Sequence, residues 1–448
     1  LGQVPLFSKD RTENHPFVLG GGPVCANPEP LAPFFDAFLI GEGEKAIIQA
    51  LETIHEGKKQ NLTRQEILKN IALISGFYVP SFYQIQYQNN GFYIENIQKT
   101  EDIAPQFIQK RVEKNLDNIL PPSYFPISWT KPIHDKGMVE IFRGCYHRCR
   151  FCQAGNYYKP VRERSPKVIQ EGIQKIFKNQ GKREFSLLSL SSGDYSLLSE
   201  LLSHLTQEWD QNFVSFYLPS IKINSFNIDV LSQISSVRKS GLTLAIEVGG
   251  EDTRKEINKE VSDEKLFEIL RQAKEKGWKL AKLYFMIGIT NNLEKEKEDI
   301  VALLQKLSLL FKGFQFHVSI NLFIPKAQTP FQFRKIYPEE IAFLAMKDIL
   351  AQVKKNRSLK ISFSSSFGHF LEGFFARGSR EAAHALLLAY QKGARFDGWQ
   401  EQFNEPLWKD ILESTKDVLN YNIFLSSLNK EKKLPWDFIK TGESQDFF

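Results

Sequence analysis

Residues 140–152 read EIFRGCYHRCRFC and place Cys145, Cys149 and Cys152 in a C-x3-C-x2-C array directly after an apolar, strand-like run. Three thiols within eight residues can wrap one corner of an inorganic cluster. A [4Fe–4S] cluster normally takes four thiolates, so three leave one iron open to a small molecule. The fourth cysteine of the chain, Cys25, stands alone and reads as a small buried apolar residue or free thiol. Four cysteines in 448 residues make no disulfide framework and point to a reducing, cytoplasmic setting. His147, inside the array, leaves a Cys3His zinc site as the rival metal reading.

Working outward, short apolar strands alternate with amphipathic segments: MVEIFRG, EFSLLSLSS, FVSFYLPS, LTLAIEV, LAKLYFMIG and FHVSINLFIP, separated by helical stretches near 166–178, 196–209, 227–238, 252–276 and 293–312. Six βα units in series predict an α/β fold, a partial (β/α)6 TIM-like barrel with its ligands at the C-terminal ends of the strands. Leu303, Leu304, Leu307 and Leu310 have helical spacing and read as core. Upstream, residues 17–56 read as a Rossmann-like half-domain in which Gly20, Gly21 and Gly22 serve a tight turn. Residues 76–98 read as a hairpin around Asn89-Asn90-Gly91, and 104–137 as a Pro-containing linker. Past Pro325 the pattern is helical (338–356, 367–391, 404–427), interrupted by the strand-like LKISFSS and ending in a frayed KTGESQDFF. The expected domains are therefore 1–75, a hairpin and linker over 76–137, a barrel core over 138–335 and a helical region over 336–448.

The net charge is +6, and residues 143–164 hold +5 of it: Arg143, Arg148, Arg150, Lys159, Arg162 and Arg164 stand against Glu163 alone. Beside a metal site such a stretch is expected to hold an anion, with Arg162-Glu163-Arg164 facing the cluster. No apolar run approaches the roughly 18–20 residues that cross a bilayer, so no membrane partner is expected. Arg377, Arg380 and Trp399 are candidates for the floor of the site or for helix packing.

The motif C-x3-C-aromatic-C after the first strand, with Phe151 in the aromatic place, resembles the radical S-adenosylmethionine superfamily. The segments GGPVCANPEPLAPFFDAFLIGEGE, CRFCQAGNYYKPVRERSP, LSLSSGDYS, LPSIKINS, NLFIPKAQTPFQF and GARFDGWQEQF are similar to a narrower, uncharacterised group with an N-terminal cobalamin-binding-type domain. The resemblance implies that Cys145, Cys149 and Cys152 hold the cluster and that its open iron chelates S-adenosylmethionine. It also implies an electron donor such as flavodoxin or ferredoxin, and reductive cleavage to a 5′-deoxyadenosyl radical acting on RNA or a small molecule, with methylation or methylthiolation as outcomes. Ser191, Ser192, Gly193 and Asp194 stand where a Gly-Gly-Glu-like motif meets the amino end of S-adenosylmethionine. Ser220, Lys222 and Glu247, at strand ends, are placed to reach its ribose or carboxylate. Two features depart from the group: Glu247-Val248-Gly249-Gly250 replaces Glu-Ala-Gly-Thr, and FMIGIT lacks a Pro. The first half of the cobalamin domain has no counterpart here, so the chain is not expected to hold cobalamin tightly. The rival of another class is a non-catalytic iron–sulfur or zinc protein that binds nucleic acid.

Overall fold

The computed structural model describes residues 3–442 apart from 90, 120, 125, 131, 134, 220–221, 224–241, 364–365 and 418. The chain forms two compact units that interleave along the sequence: Leu1–Glu113 with Ile324–Glu339 and Ser365–Phe448, and Lys114–Phe323 with Glu340–Ser364.

In the second unit the six expected strands are Gly137–Glu140, Glu184–Leu188, Ser215–Tyr217, Leu242–Glu247, Leu280–Ile287 and Gln315–Leu322. All pair in parallel, the first three in one sheet and the last three in another. The architecture is thus α/β with parallel sheets and helical regions. LKISFSS, expected as an interruption of the helical region, supplies a seventh strand, Leu359–Phe363, parallel to Gln315–Leu322. Along the central strands one set of side chains is buried (Leu283, Phe285, Ile287, Val318, Ile320), while Tyr284, Met286, His317 and Ser319 stay accessible. This two-residue alternation sets an apolar face against a more polar one.

The intervening helices form where their ends are specified. Pro166–Gln180 follows a Ser165 cap, carries Pro at its first position and stops at Gly181 with φ 65°. Its Ile169, Ile173 and Ile176 recur at helical spacing and pack with Leu201, Leu202 and Leu205 of helix Leu198–Trp209 over Val139, Phe185 and Leu187. In helix Leu293–Leu310, Leu303, Leu304 and Leu307 are core as expected, but Leu310 at the last turn is exposed. The helix expected over 227–238 lies outside the described residues.

In the first unit, Leu19–Gly20 runs parallel to Ala37–Leu39, which pairs antiparallel with Phe77–Tyr78. Gly20 lies against Phe38, whose ring a Cβ would meet at 2.5 Å, so this glycine serves packing. NPEPLAPFF, which reads as a helix, forms a 3-10 segment over Glu29–Phe34 because Pro33 removes an amide donor. The hairpin is Tyr83–Tyr87 with Ile94–Lys99. The supposed linker contributes Ile108–Gln109, which pairs with Ile439–Lys440 of the supposed frayed tail.

The division into units therefore differs from the contiguous one expected, and buried polar contacts give the reason. Glu29 is fully buried and accepts from the hydroxyls of Tyr78 (2.6 Å) and Tyr87 (3.2 Å) and from Arg380, 351 residues away (3.0 Å). Arg377 is likewise buried and donates to the carbonyls of Arg334 and Ser426, while Trp399 is exposed. Both arginines are structural. A carboxylate left without its guanidinium in this interior is costly, so Arg380→Ala should lower unfolding stability by about 3–5 kcal/mol in urea denaturation; a change below about 1 kcal/mol would show that the pair is not holding the unit together.

Candidate functional site

The cysteine loop leaves the first strand through Phe142–Arg143, which pairs antiparallel with Arg162–Glu163. Gly144 has φ 92°, and a Cβ there would come within 2.9 Å of the carbonyls of Tyr158 and Pro160, so the turn into Cys145 requires glycine. Cys145 and Cys149 are each 6% exposed and Cys152 is half-buried, accepting from the Gly155 amide at 3.3 Å. Asn156, itself buried, donates through Nδ2 to the carbonyls of Cys149 (3.3 Å) and Cys152 (2.7 Å). The far side of the loop is held by Arg150 N to Ile257 O at 3.0 Å and Asn258 Nδ2 to Arg148 O at 2.8 Å.

Lys222 Nζ stands 3.6 Å from Cys145 Sγ and 4.0 Å from Cys149 Sγ. Burial pushes the thiols of Cys149 and Cys152 above their ordinary value, Lys222 draws both back, and the neighbouring cysteines raise them by mutual repulsion. Cys25, buried elsewhere, is pushed up to about 12 by burial. Three soft sulfurs within eight residues of one loop, two of them beside a cation, suit an iron–sulfur cluster, in which each thiolate would bind a different iron and the iron would take the charge the thiols cannot carry alone. His147 turns Nε2 to Asp194 Oδ2 at 2.7 Å. Among the described residues no group of three or more His, Cys, Asp or Glu side chains is arranged to hold a metal ion.

That His147–Asp194 bond joins the cysteine loop to the loop after the second strand. There Ser192–Asp194 forms a 3-10 turn containing Gly193; Ser191 and Ser192 are fully buried. Ser192 Oγ donates to Leu187 O, whereas Ser191 Oγ has no partner among the described residues. Phe151 is half-buried in the turn before Cys152. Glu247 ends the fourth strand at a register shift, with φ 73° and an ion pair to Lys259 at 2.6 Å. A positive φ at a non-glycine residue is strained. Ser220 lies outside the described residues.

Sequence reasoning missed several residues that support these loops. Arg254 is fully buried and donates to the carbonyls of Val248 (3.1 Å), Gly249 (2.7 Å) and Val261 (2.8 Å) while pairing with Asp263 at 2.9 Å. Gly249 and Gly250, the second of which stands in place of the group's Thr, lie against helix Leu293–Leu310, where a Cβ would run into Asp299 and Ile300. Glu296 accepts from the amides of Gly288 and Thr290 and closes the turn after the fifth strand; burial raises its carboxyl above the usual range. The eight-residue spacing of Gly288 and Glu296 was the available signal.

The basic stretch is not the anion site expected. Arg162 donates to the carbonyls of Pro160 and Tyr158, and Arg164 to those of Leu116 and Ile119. Arg143 forms a two-point pair with Glu140, and Glu163 accepts from Tyr146 and Ser196. The Arg162 and Arg164 guanidiniums satisfy backbone carbonyls that the turns leave without partners, a use that a count of charges does not reveal.

Residues 139–304 match the family described as the radical SAM superfamily, and residues 1–80 match the N-terminal family of radical SAM proteins. The chain belongs to the radical S-adenosylmethionine superfamily. Members of this superfamily are enzymes that use a [4Fe–4S] cluster and S-adenosylmethionine. The chain is 25% identical over 419 residues to an uncharacterized protein of Methanocaldococcus jannaschii, covering 90% of this chain and 83% of that one. It is 22% identical over 281 residues to a tRNA-2-methylthio-N(6)-dimethylallyladenosine synthase of Clostridium botulinum, 59% of each chain. The radical S-adenosylmethionine methyltransferase TsrM from Kitasatospora setae, solved with cobalamin and a [4Fe–4S] cluster, shares the fold: 13% identity, TM-score 0.50, 89% of this chain and 82% of that one. No helix among the described residues is long and apolar enough to cross a membrane.

The support that Asn156 gives the cysteine loop is testable without metal. Asn156→Ala removes two donors from buried carbonyls and should destabilise the metal-free chain by about 1–3 kcal/mol in chemical denaturation; an unchanged midpoint would mean that the loop does not need them.

Proposed function

We propose that Cys145, Cys149 and Cys152 are the protein ligands of one [4Fe–4S] cluster, and that Phe151, Ser191, Ser192, Gly193, Asp194, Lys222 and Glu247 form the surrounding S-adenosylmethionine site. The observation that carries this reading is the approach of Lys222 to two of three grouped thiols. When bound, the cluster supplies the electron that cleaves S-adenosylmethionine to methionine and a 5′-deoxyadenosyl radical.

The chain's own groups would bind and orient. Asp194, held by His147, offers a carboxylate to the amino end of S-adenosylmethionine through a charge-assisted hydrogen bond. Lys222 offers an ammonium to the methionine carboxylate from beside the cysteines. Ser191 Oγ, buried without a partner among the described residues, is available as a neutral donor. Glu247, fixed by Lys259 at a strand end, is placed for the ribose hydroxyls. The reaction is hydrogen abstraction from, or methyl or methylthio transfer to, an RNA or small-molecule substrate, with a flavodoxin or ferredoxin as reductant. The methylthio synthase relative and the methyltransferase neighbour support that range.

Anaerobic reconstitution tests the assignment. The chain should take up about four iron and four sulfide and, with dithionite, release 5′-deoxyadenosine. Replacing any one of the three cysteines by Ala should remove both properties, Cys25→Ser neither. Asp194→Ala should keep its iron and bind S-adenosylmethionine about tenfold more weakly. One zinc per chain without cleavage would overturn the reading.

A further inference from the structure

In the unit made of residues 1–113, 324–339 and 365–448, a cleft of about 280 Å³ lies between the segment around Gln328 and the C-terminal segment 430–441. Its floor is made by Gln328 and Gln332, both buried. Gln332 is 3% exposed; its Oε1 accepts from Trp436 Nε1 at 2.8 Å and from Gln328 N at 3.0 Å. These bonds fix the amide orientation and leave Nε2, a donor, without a partner among the described residues.

Lys430, Lys432, Lys433 and Lys440 line the same cleft against two carboxylates, Glu431 and Asp437, an excess of two positive charges. Asp437 accepts from Leu434 N at 2.8 Å; burial raises its carboxyl to about 6, and Lys440 and Lys433 both draw it back down. Lys432 is held by Gln88 at 2.9 Å, and Lys440 Nζ lies over the Phe107 ring at 4.8 Å. Lys433 and Lys440 form no ion pair among the described residues. Their backbones are anchored: Lys433 O accepts from Ile94 N, and Lys440 belongs to the strand paired with Ile108–Gln109. Two ammonium groups on fixed backbone, which share the one carboxylate of Asp437 and keep a net positive charge, are with the buried amide donor suited to a tetrahedral oxyanion, whose several oxygens can take all three at once. The volume is at the lower end for ligand pockets, enough for a phosphate with its sugar.

We propose that this cleft binds a phosphate group of a nucleotide, with Lys433 and Lys440 supplying the charge and Gln332 Nε2 a neutral donor on the floor. The proposal does not rest on the cysteine site, and its measurements involve neither iron nor S-adenosylmethionine. The phosphate has two sources, a free nucleotide or a polynucleotide backbone.

Calorimetric titration of the full chain with uridine 5′-monophosphate, with uridine and with a single-stranded RNA of about 12 nucleotides tests it. At least one phosphorylated probe should bind while uridine does not. The Lys433→Gln/Lys440→Gln double variant should bind about tenfold more weakly. Gln332→Glu, nearly isosteric, keeps the acceptor for Trp436 but puts a carboxylate oxygen in place of the donor, and should weaken binding as much, with far-ultraviolet circular dichroism showing both variants folded. RNA binding that falls more than about a hundredfold between about 50 and 200 mM salt identifies the polynucleotide backbone as the source; tighter binding of the monophosphate than of RNA identifies a free nucleotide. Phosphorylated probes that bind no better than uridine, or affinities untouched by both folded variants, overturn the proposal.

Discussion

Three thiols within eight residues can share a buried loop only if the backbone is held from outside and the charge they develop is balanced. Each requirement has its own residues. Gly144 makes the entry, Asn156 bonds the carbonyls of two of the cysteines, and the segment Ile257–Asn258 fastens the opposite side. Lys222 approaches the sulfurs directly and Lys259 acts from farther away, both opposing the effect of burial on Cys149. The parallel strands matter here because they deliver these groups on successive loops: Asp194 after the second, Lys222 after the third, Glu247 at the end of the fourth.

The six parallel strands were legible because alternation of apolar and polar residues survives where one face is covered. Leu359–Phe363 was read apart from them because it follows a long helix and has no fully buried position. Strands of two residues, such as Ile108–Gln109 and Ile439–Lys440, carry too few side chains to show a period at all. The unit boundaries depend on pairs such as Glu29 with Arg380, and separation of that order leaves no local trace.

In the proposed site, the cysteines stand out in the sequence by spacing and the strand-end residues by topology. The supporting residues do not. Asn156, Arg254 and Lys259 are ordinary polar residues in the sequence, and their importance comes from burial beside carbonyls or a carboxylate that only the folded backbone brings near. The same physics removed the expected anion site, since Arg162 and Arg164 satisfy main-chain carbonyls.

The interleaving of the two units also sets an order of assembly during synthesis. Lys114–Ser364 contains everything the parallel-sheet unit needs, so that unit is complete on the ribosome before the last segment of the other has been made. Glu29 precedes Arg380 by 351 residues. At about 5–20 residues per second, its carboxylate emerges roughly 20–70 s before the guanidinium that neutralises it. Throughout that interval the Glu29 carboxylate lacks the guanidinium it is buried against in the finished unit, while the parallel-sheet unit is completed ahead of it.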